Sequence, residues 1–180
     1  MSGSNYVTKE NKPKATVEKI NIEYNGKVVS ARKLSVTSCI PMDLETAWKQ
    51  VQKPSLLEFV AKGKITFLPT GGKFPEVWRE GMKVSARMLL YGFIPFGGLH
   101  YLTVKNIDEA NKTIQTHEWD NAAKIWKHRI EMKPVNSHET DYLDEIIIYG
   151  GILTNFITFW AKHFYIHRQK RWQLVKRYFI

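Results

Sequence analysis

The chain has 180 residues and a formal net charge of +10, a length that suits one ordinary domain whose core needs neither disulfide nor metal. Its single cysteine, Cys39, excludes an internal disulfide, and the opening MSGSNYVTKENKPK lacks the apolar run of a secretory signal, so a cytoplasmic location is expected. The longest apolar stretch, residues 146–161, falls short of the ~20 residues of a spanning helix and is interrupted by Gly150, Gly151 and Asn155.

In chain order, residues 1–26 are polar and mixed in charge and are expected to form a flexible arm carrying at most one short strand at 20–24. Asn25-Gly26 is a turn signal leading into a long strand over 27–40, with Val29, Ala31, Leu34 and Val36 alternating. Pro41 ends it. Asp43 is placed to cap a short helix presenting Leu44, Ala47, Trp48 and Val51 on one face, and Pro54-Ser55 opens a second one, 56–61, stopped by Gly63.

The middle of the chain reads as β. Strands are expected at 64–68, 82–90, 99–107, 113–120, 125–132 and 140–149, separated by Gly-, Pro- and Asn-containing turns. In 82–90 the residues Met82, Val84, Ala86, Met88 and Leu90 share one side; in 125–132 Trp126, His128, Ile130 and Met132 do. Such half-buried alternation marks an antiparallel sheet. After Gly150-Gly151, residues 152–178 read as one long helix, its first half buried as the cavity wall and its second half basic and solvated. An antiparallel sheet of about seven strands curls. The one long helix is the element able to lie across its concave face, leaving a space for rings or a ligand. The expected class is therefore α+β, with two short helices after the first strand.

This order resembles the START-like superfamily, also called SRPBCC or the Bet v 1-like helix-grip fold, over roughly residues 27–178. The resemblance is nearest to bacterial polyketide cyclase/dehydrase-like ligand-binding proteins. It is carried by Pro75-Glu76-Val77-Trp78-Arg79-Glu80-Gly81, Gly92-Phe93-Ile94-Pro95-Phe96-Gly97, Trp126-Lys127-His128-Arg129-Ile130 and Tyr165-Ile166-His167-Arg168-Gln169-Lys170-Arg171-Trp172. It implies a central apolar cavity; members bind lipids, sterols, hormones or polyketides, and only some catalyse a reaction.

The expected cavity set is Trp48, Met88, Leu90, Tyr101, His117, Trp119, Trp126, His128, Phe156, Trp160 and Phe164. For the aromatic members, and for Tyr142, plain core packing is the competing reading. His128 is the one titratable group on its apolar strand face, and three roles stay open: a satisfied core histidine, a ligand contact, or a general acid/base. In His117-Glu118-Trp119-Asp120, adjacent residues point to opposite faces. His117 and Trp119 are expected inward, because two inward carboxylates would need partners.

Metal binding is not expected: His163 and His167 are spaced for one helix face, but cations surround them and no carboxylate is near in sequence. No cofactor is expected, since neither glycine pair has the context of a phosphate loop. No acidic residue follows Glu145, so Arg168, Lys170, Arg171 and Lys176 are expected to form a basic face suited to anionic membrane. Nucleic-acid binding is disfavoured for want of a reader motif. The expected function is to carry or sense an apolar molecule: a lipid, isoprenoid or aromatic polyketide. A cyclase/dehydrase-like enzyme is the alternative, and a basic interaction module the third.

Overall fold

A computed structural model describes residues 12–180. The elements in order are β1 (Lys14–Tyr24), β2 (Lys27–Ile40), α1 (Leu44–Val51), α2 (Pro54–Ala61), β3 (Ile65–Pro69), β4 (Lys83–Leu90), β5 (Ile94–Asp108), β6 (Thr113–Trp119), β7 (Ile125–Asn136), β8 (Glu139–Tyr149), a 3₁₀ turn (Gly151–Leu153), α3 (Thr154–Trp172) and α4 (Val175–Tyr178). Eight strands form one antiparallel sheet in the order β1-β2-β8-β7-β6-β5-β4-β3.

The sheet has one strand more than the approximate count expected from the sequence. β1 pairs with β2 along its whole length through the Asn25-Gly26 turn, where both residues have positive φ, as a two-residue hairpin requires. Its charged residues are exposed because it is an edge strand, so it does not show the half-buried alternation of its neighbours. The part of the expected flexible arm before residue 12 lies outside the described residues.

Three register shifts, in β4–β5, β5–β6 and β7–β8, add local twist and bend the sheet. In the first, Gly97 and Gly98, both at positive φ, form the extra residues between the pairs Arg87–Leu99 and Met88–Phe96. β5 therefore begins at Ile94, inside what the sequence presents as a loop.

α1 is capped by Asp43, whose Oδ1 accepts from the Thr46 amide at 2.9 Å, and α2 opens on Pro54. The two helices close one end of the curved sheet. Trp48, Val51, Leu56 and Val60 pack there with Ile40, Ile130, Met132, Tyr142 and Trp172 in one of two core clusters.

The C-terminal helix corrects the expectation in two ways. It stops at Trp172, and the short α4 follows after a turn at Gln173–Leu174. Its phase is also different: Thr154, Ile157, Thr158, Ala161, Phe164, Tyr165, Arg168, Gln169 and Trp172 face the sheet, while Ile152, Phe156 and Phe159 are 99%, 62% and 65% exposed. The apolar first half thus buries Ile157, Ala161 and Phe164 but exposes Ile152, Phe156 and Phe159, and in the basic second half Arg168 is buried while Lys170 and Lys176 are exposed. Where the helix passes close to the sheet, at Thr154, Thr158, Ala161 and Gln169, small and hydrogen-bonding residues are buried. Gln169 Nε2 donates to the Val36 carbonyl at 2.7 Å, and Gln173 Nε2 to the Cys39 carbonyl at 2.9 Å. At Gly150 any Cβ would sit 2.5 Å from Ile157 Cδ1 and 2.6 Å from the Ala122 carbonyl oxygen.

Candidate functional site

Between the concave face and α3 lies a cavity of about 110 Å³, on the scale of the ~150 Å³ apolar cavity known to admit benzene. β4 supplies Val84, Ala86 and Met88, β5 supplies Phe96, Leu102 and Val104, β7 supplies Trp126 and Ile130, and α3 supplies Ile157, Trp160, Phe164 and Tyr165. Phe96 stacks on Trp160 with ring centroids 5.6 Å apart, and Trp160 on Phe164 at 5.2 Å. Rings thus bridge sheet and helix where aliphatic side chains would be too short.

Of the expected cavity residues, Met88, Trp126, His128, Trp160 and Phe164 line this space; six do not. Trp48 is buried in the closed end, its indole N–H bonded to Glu109. Leu90 is half-buried and packs against the core beside the cavity. Tyr101 and Trp119 stack on each other at 5.5 Å, both substantially exposed. His117 sits beside Trp119 and not on the lining. Phe156 points to solvent.

The His117 and Trp119 correction has a clear cause. The two carboxylates of this segment, Glu118 and Asp120, face the cavity because a partner waits on β5. Leu102 pairs with Glu118, so His100, two residues along the same face, falls between Glu118 and Asp120. His100 Nε2 lies 3.0 Å from Glu118 Oε2, and Nδ1 lies 2.9 Å from Asp120 Oδ2. Both nitrogens donate to carboxylates, so the ring is an imidazolium. Burial alone would favour the neutral ring, but the bonds to Asp120 and Glu118 prevail and raise its pKa to about 9. Asp120 is fixed in turn by the Ala122 and Ala123 amides, which donate to Oδ1 at 2.8 and 2.7 Å. Gly97 admits it: a Cβ there would stand 2.5 Å from Asp120 Oδ2.

A second cluster adjoins the first. His128 Nε2 is 2.7 Å from Asp144 Oδ1, and its Nδ1 is 4.0 Å from Glu118 Oε1. Asp144, wholly buried, also accepts from the Tyr142 hydroxyl and from Gln169 Nε2, each at 3.1 Å. Burial pushes the Asp144 carboxyl toward its neutral form, but the Arg168 charge and the His128 bond hold it below the usual carboxylate range. Glu118 is likewise held down against burial, by the His100 bond and charge and by Thr116.

Arg168 is 6% exposed and lines the cavity, with its guanidinium over the Tyr165 ring at 4.9 Å. It is therefore not part of a basic surface, because the buried carboxylates draw it inward. Arg171 donates to the Phe59 carbonyl and lies over the Phe59 ring; Lys170 and Lys176 remain exposed. His163 Nδ1 and His167 Nε2 are bonded to backbone oxygens, of Phe159 and Lys62. Among the described residues no group of three or more His, Cys, Asp or Glu side chains is arranged to hold a metal ion.

The site thus presents an apolar chamber with one acid–base wall, Glu118 and Asp120 with His100, His128 and Arg168, backed by the buried Asp144. It can hold a polar substituent at one end of an apolar body, and a His–Asp pair beside it can move a proton. The sequence alone did not place His100 or Arg168 in the cavity, and it favoured His117 and Trp119 over Glu118 and Asp120 as the inward pair. Only the parity of His100 with Leu102 and Val104 hinted at its place.

An antiparallel sheet gripping a long C-terminal helix over an apolar chamber defines the class. The sequence matches no family model and no curated protein. Solved structures do match: an aromatase/cyclase from a Streptomyces species has 8% identity, covers 82% of this chain and 97% of its own, and gives a TM-score of 0.58. A START superfamily protein from Mycobacterium smegmatis has 14% identity, 78% and 94% coverage and a TM-score of 0.55. The major latex-like protein 151 of Panax ginseng has 12% identity, the same two coverages and a TM-score of 0.58. The chain has the START-like, or Bet v 1-like, helix-grip fold.

Proposed function

We propose that the protein encloses a compact apolar molecule in this chamber, as its carrier or sensor, and holds the molecule's polar end at the Glu118–His128–Arg168 wall. The observation that carries the reading is the 110 Å³ space lined by Phe96, Trp126, Trp160 and Phe164 with charged groups gathered on one side. Burial of apolar ligand surface contributes roughly 25 cal/mol per Å², and the polar wall sets orientation. Of the ligand classes expected from the sequence, an aromatic body suits this volume better than an extended lipid or isoprenoid chain.

The exposed start of α3 favours loading from a lipid surface. Ile152, Leu153, Phe156 and Phe159 are all exposed there, one turn before Trp160 of the lining. The Lys124 ammonium lies beside Gly151, and Lys162 follows on the helix. An apolar face flanked by lysines suits an anionic bilayer.

The His128–Asp144 pair favours a second reading, a cyclase/dehydrase-like enzyme in which His128 transfers the proton. Native mass spectrometry of protein purified without detergent separates the two. A retained small molecule supports the carrier, and turnover of an aromatic polyketone by otherwise empty protein supports the enzyme. Protein that retains nothing and shows no saturable tryptophan quenching by an apolar probe has no binding chamber, and the proposal fails.

A further inference from the structure

We infer that Arg168 is the receptor for a carbonyl-type oxygen, of a ketone or a carboxylate, on the enclosed molecule. The inference deepens the enclosure reading and rests on it. Arg168 is buried, lines the cavity, and makes no hydrogen bond and no ion pair within 4 Å among the described residues. Its Nε is completely covered yet without a partner. Its close side-chain contacts are with rings, Tyr165 at 4.9 Å and Phe164 at 5.8 Å, and the charges of Asp144 and Glu118 act on it from farther away.

The neighbouring carboxylates do not use its donors. Asp144 already accepts from His128, Tyr142 and Gln169, and Glu118 accepts from Thr116 and His100. They balance the charge of the guanidinium without saturating its N–H groups. A guanidinium offers five N–H donors in a planar fork and no acceptor, so a buried one without partners calls for oxygen. Trp126 supplies a second observation: its indole N–H, on the same lining, is also buried without a hydrogen-bond partner. Trp126 and Arg168 both lie against Tyr165, the rings of Trp126 and Tyr165 being 6.1 Å apart. Two donors beside one ring select an oxygen acceptor on the enclosed molecule.

The test compares molecules of one shape. Acetophenone, benzoate, ethylbenzene and benzylamine are titrated into the full-length protein by ligand-observed NMR. Acetophenone or benzoate is expected to bind at least about tenfold more tightly than ethylbenzene, the ratio one good charge-assisted bond supplies. Whichever of the two is tighter assigns the ketone or the carboxylate. Arg168→Met is expected to shrink that ratio to within about threefold while ethylbenzene binding persists. Arg168→Lys, which keeps the charge and the fold but loses the fork, should give an intermediate ratio. Wild-type binding of both acetophenone and benzoate no tighter than that of ethylbenzene overturns the inference, with the chamber intact and its arginine satisfied by water. Benzylamine bound as tightly as the tighter of acetophenone and benzoate also overturns it. Binding of none of the four removes the enclosure reading itself, a different failure read in the same experiment.

Discussion

His128 Nε2 and Asp144 Oδ1 stand 2.7 Å apart, joining adjacent strands, and the carboxylate they share with Tyr142 and Gln169 also faces the charge of Arg168. Asp144 is therefore the hub of the wall, not merely the partner of one histidine. Asp144→Asn is expected to cost about 3–5 kcal/mol, as removing one member of a buried charge set does. His128→Gln should cost only about 1–2 kcal/mol. Urea unfolding of both variants checks the order; a larger loss for His128→Gln would place the hub elsewhere.

His100 predicts a pH dependence. Its pKa is raised from 6.5 to about 9 in the fold, so the folded state holds the proton more tightly than the unfolded chain. That stabilisation is complete below pH 6.5 and is lost as pH rises through about 9. A shift of this size corresponds to about 3 kcal/mol. The melting temperature is expected to fall from near neutral pH to about pH 10, and His100→Gln, less stable at neutral pH, to show a flatter profile. A wild-type profile that rises through this window contradicts the imidazolium assignment.

The glycine that admits Asp120 can be isolated with a control. Gly97 and Gly26 share a positive φ, 70° and 72°, but a Cβ at Gly26 meets nothing within 4 Å. Both alanine variants suffer backbone strain of about 1 kcal/mol or more. Gly97→Ala should cost at least about 1 kcal/mol further and lower the His100 pKa observed by NMR, because Asp120 must move. Equal losses for the two variants would show that Asp120 is not confined at this point.

Filling the chamber should remove binding and leave the fold. Ala86 is buried on the lining, and Ala86→Leu adds volume there at about 1–3 kcal/mol. Cooperative melting should persist while saturable quenching by an apolar probe weakens by about tenfold or more. If the probe binds as before, its site lies outside the chamber.

The exposed helix start predicts where lipid contact occurs. Phe156→Ser with Phe159→Ser removes two rings that are more than half exposed, so stability should change by less than about 0.5 kcal/mol. Co-sedimentation with anionic vesicles at low salt should fall strongly, and more than for Lys170→Gln with Lys176→Gln. The reverse order would return the membrane face to the basic end of the chain.

What the sequence determined by itself is the set of elements and most of their faces. Alternation in β4 and β7, capping at Asp43, the Asn25-Gly26 turn and the glycine pair before α3 are local signals, each written within a few residues. They were enough for a curled antiparallel sheet, two short helices and a long one, and they placed Met88, Trp126 and His128 inward through strand parity alone. The wall of charges was not legible, because its residues are acceptable only together. Glu118 and Asp120 turn inward because β5 brings His100 between them, and Arg168 is buried because Asp144 and Glu118 already are. In isolation each reads as a surface residue. The same holds for α3, where amphipathic counting picks the greasier face. Close packing over Gly150, with Thr154, Thr158, Ala161 and Gln169 against the sheet, outweighs it, leaving Phe156 and Phe159 in solvent. Partners distant in the chain decide which polar groups can be buried, and only the tertiary structure brings those partners together.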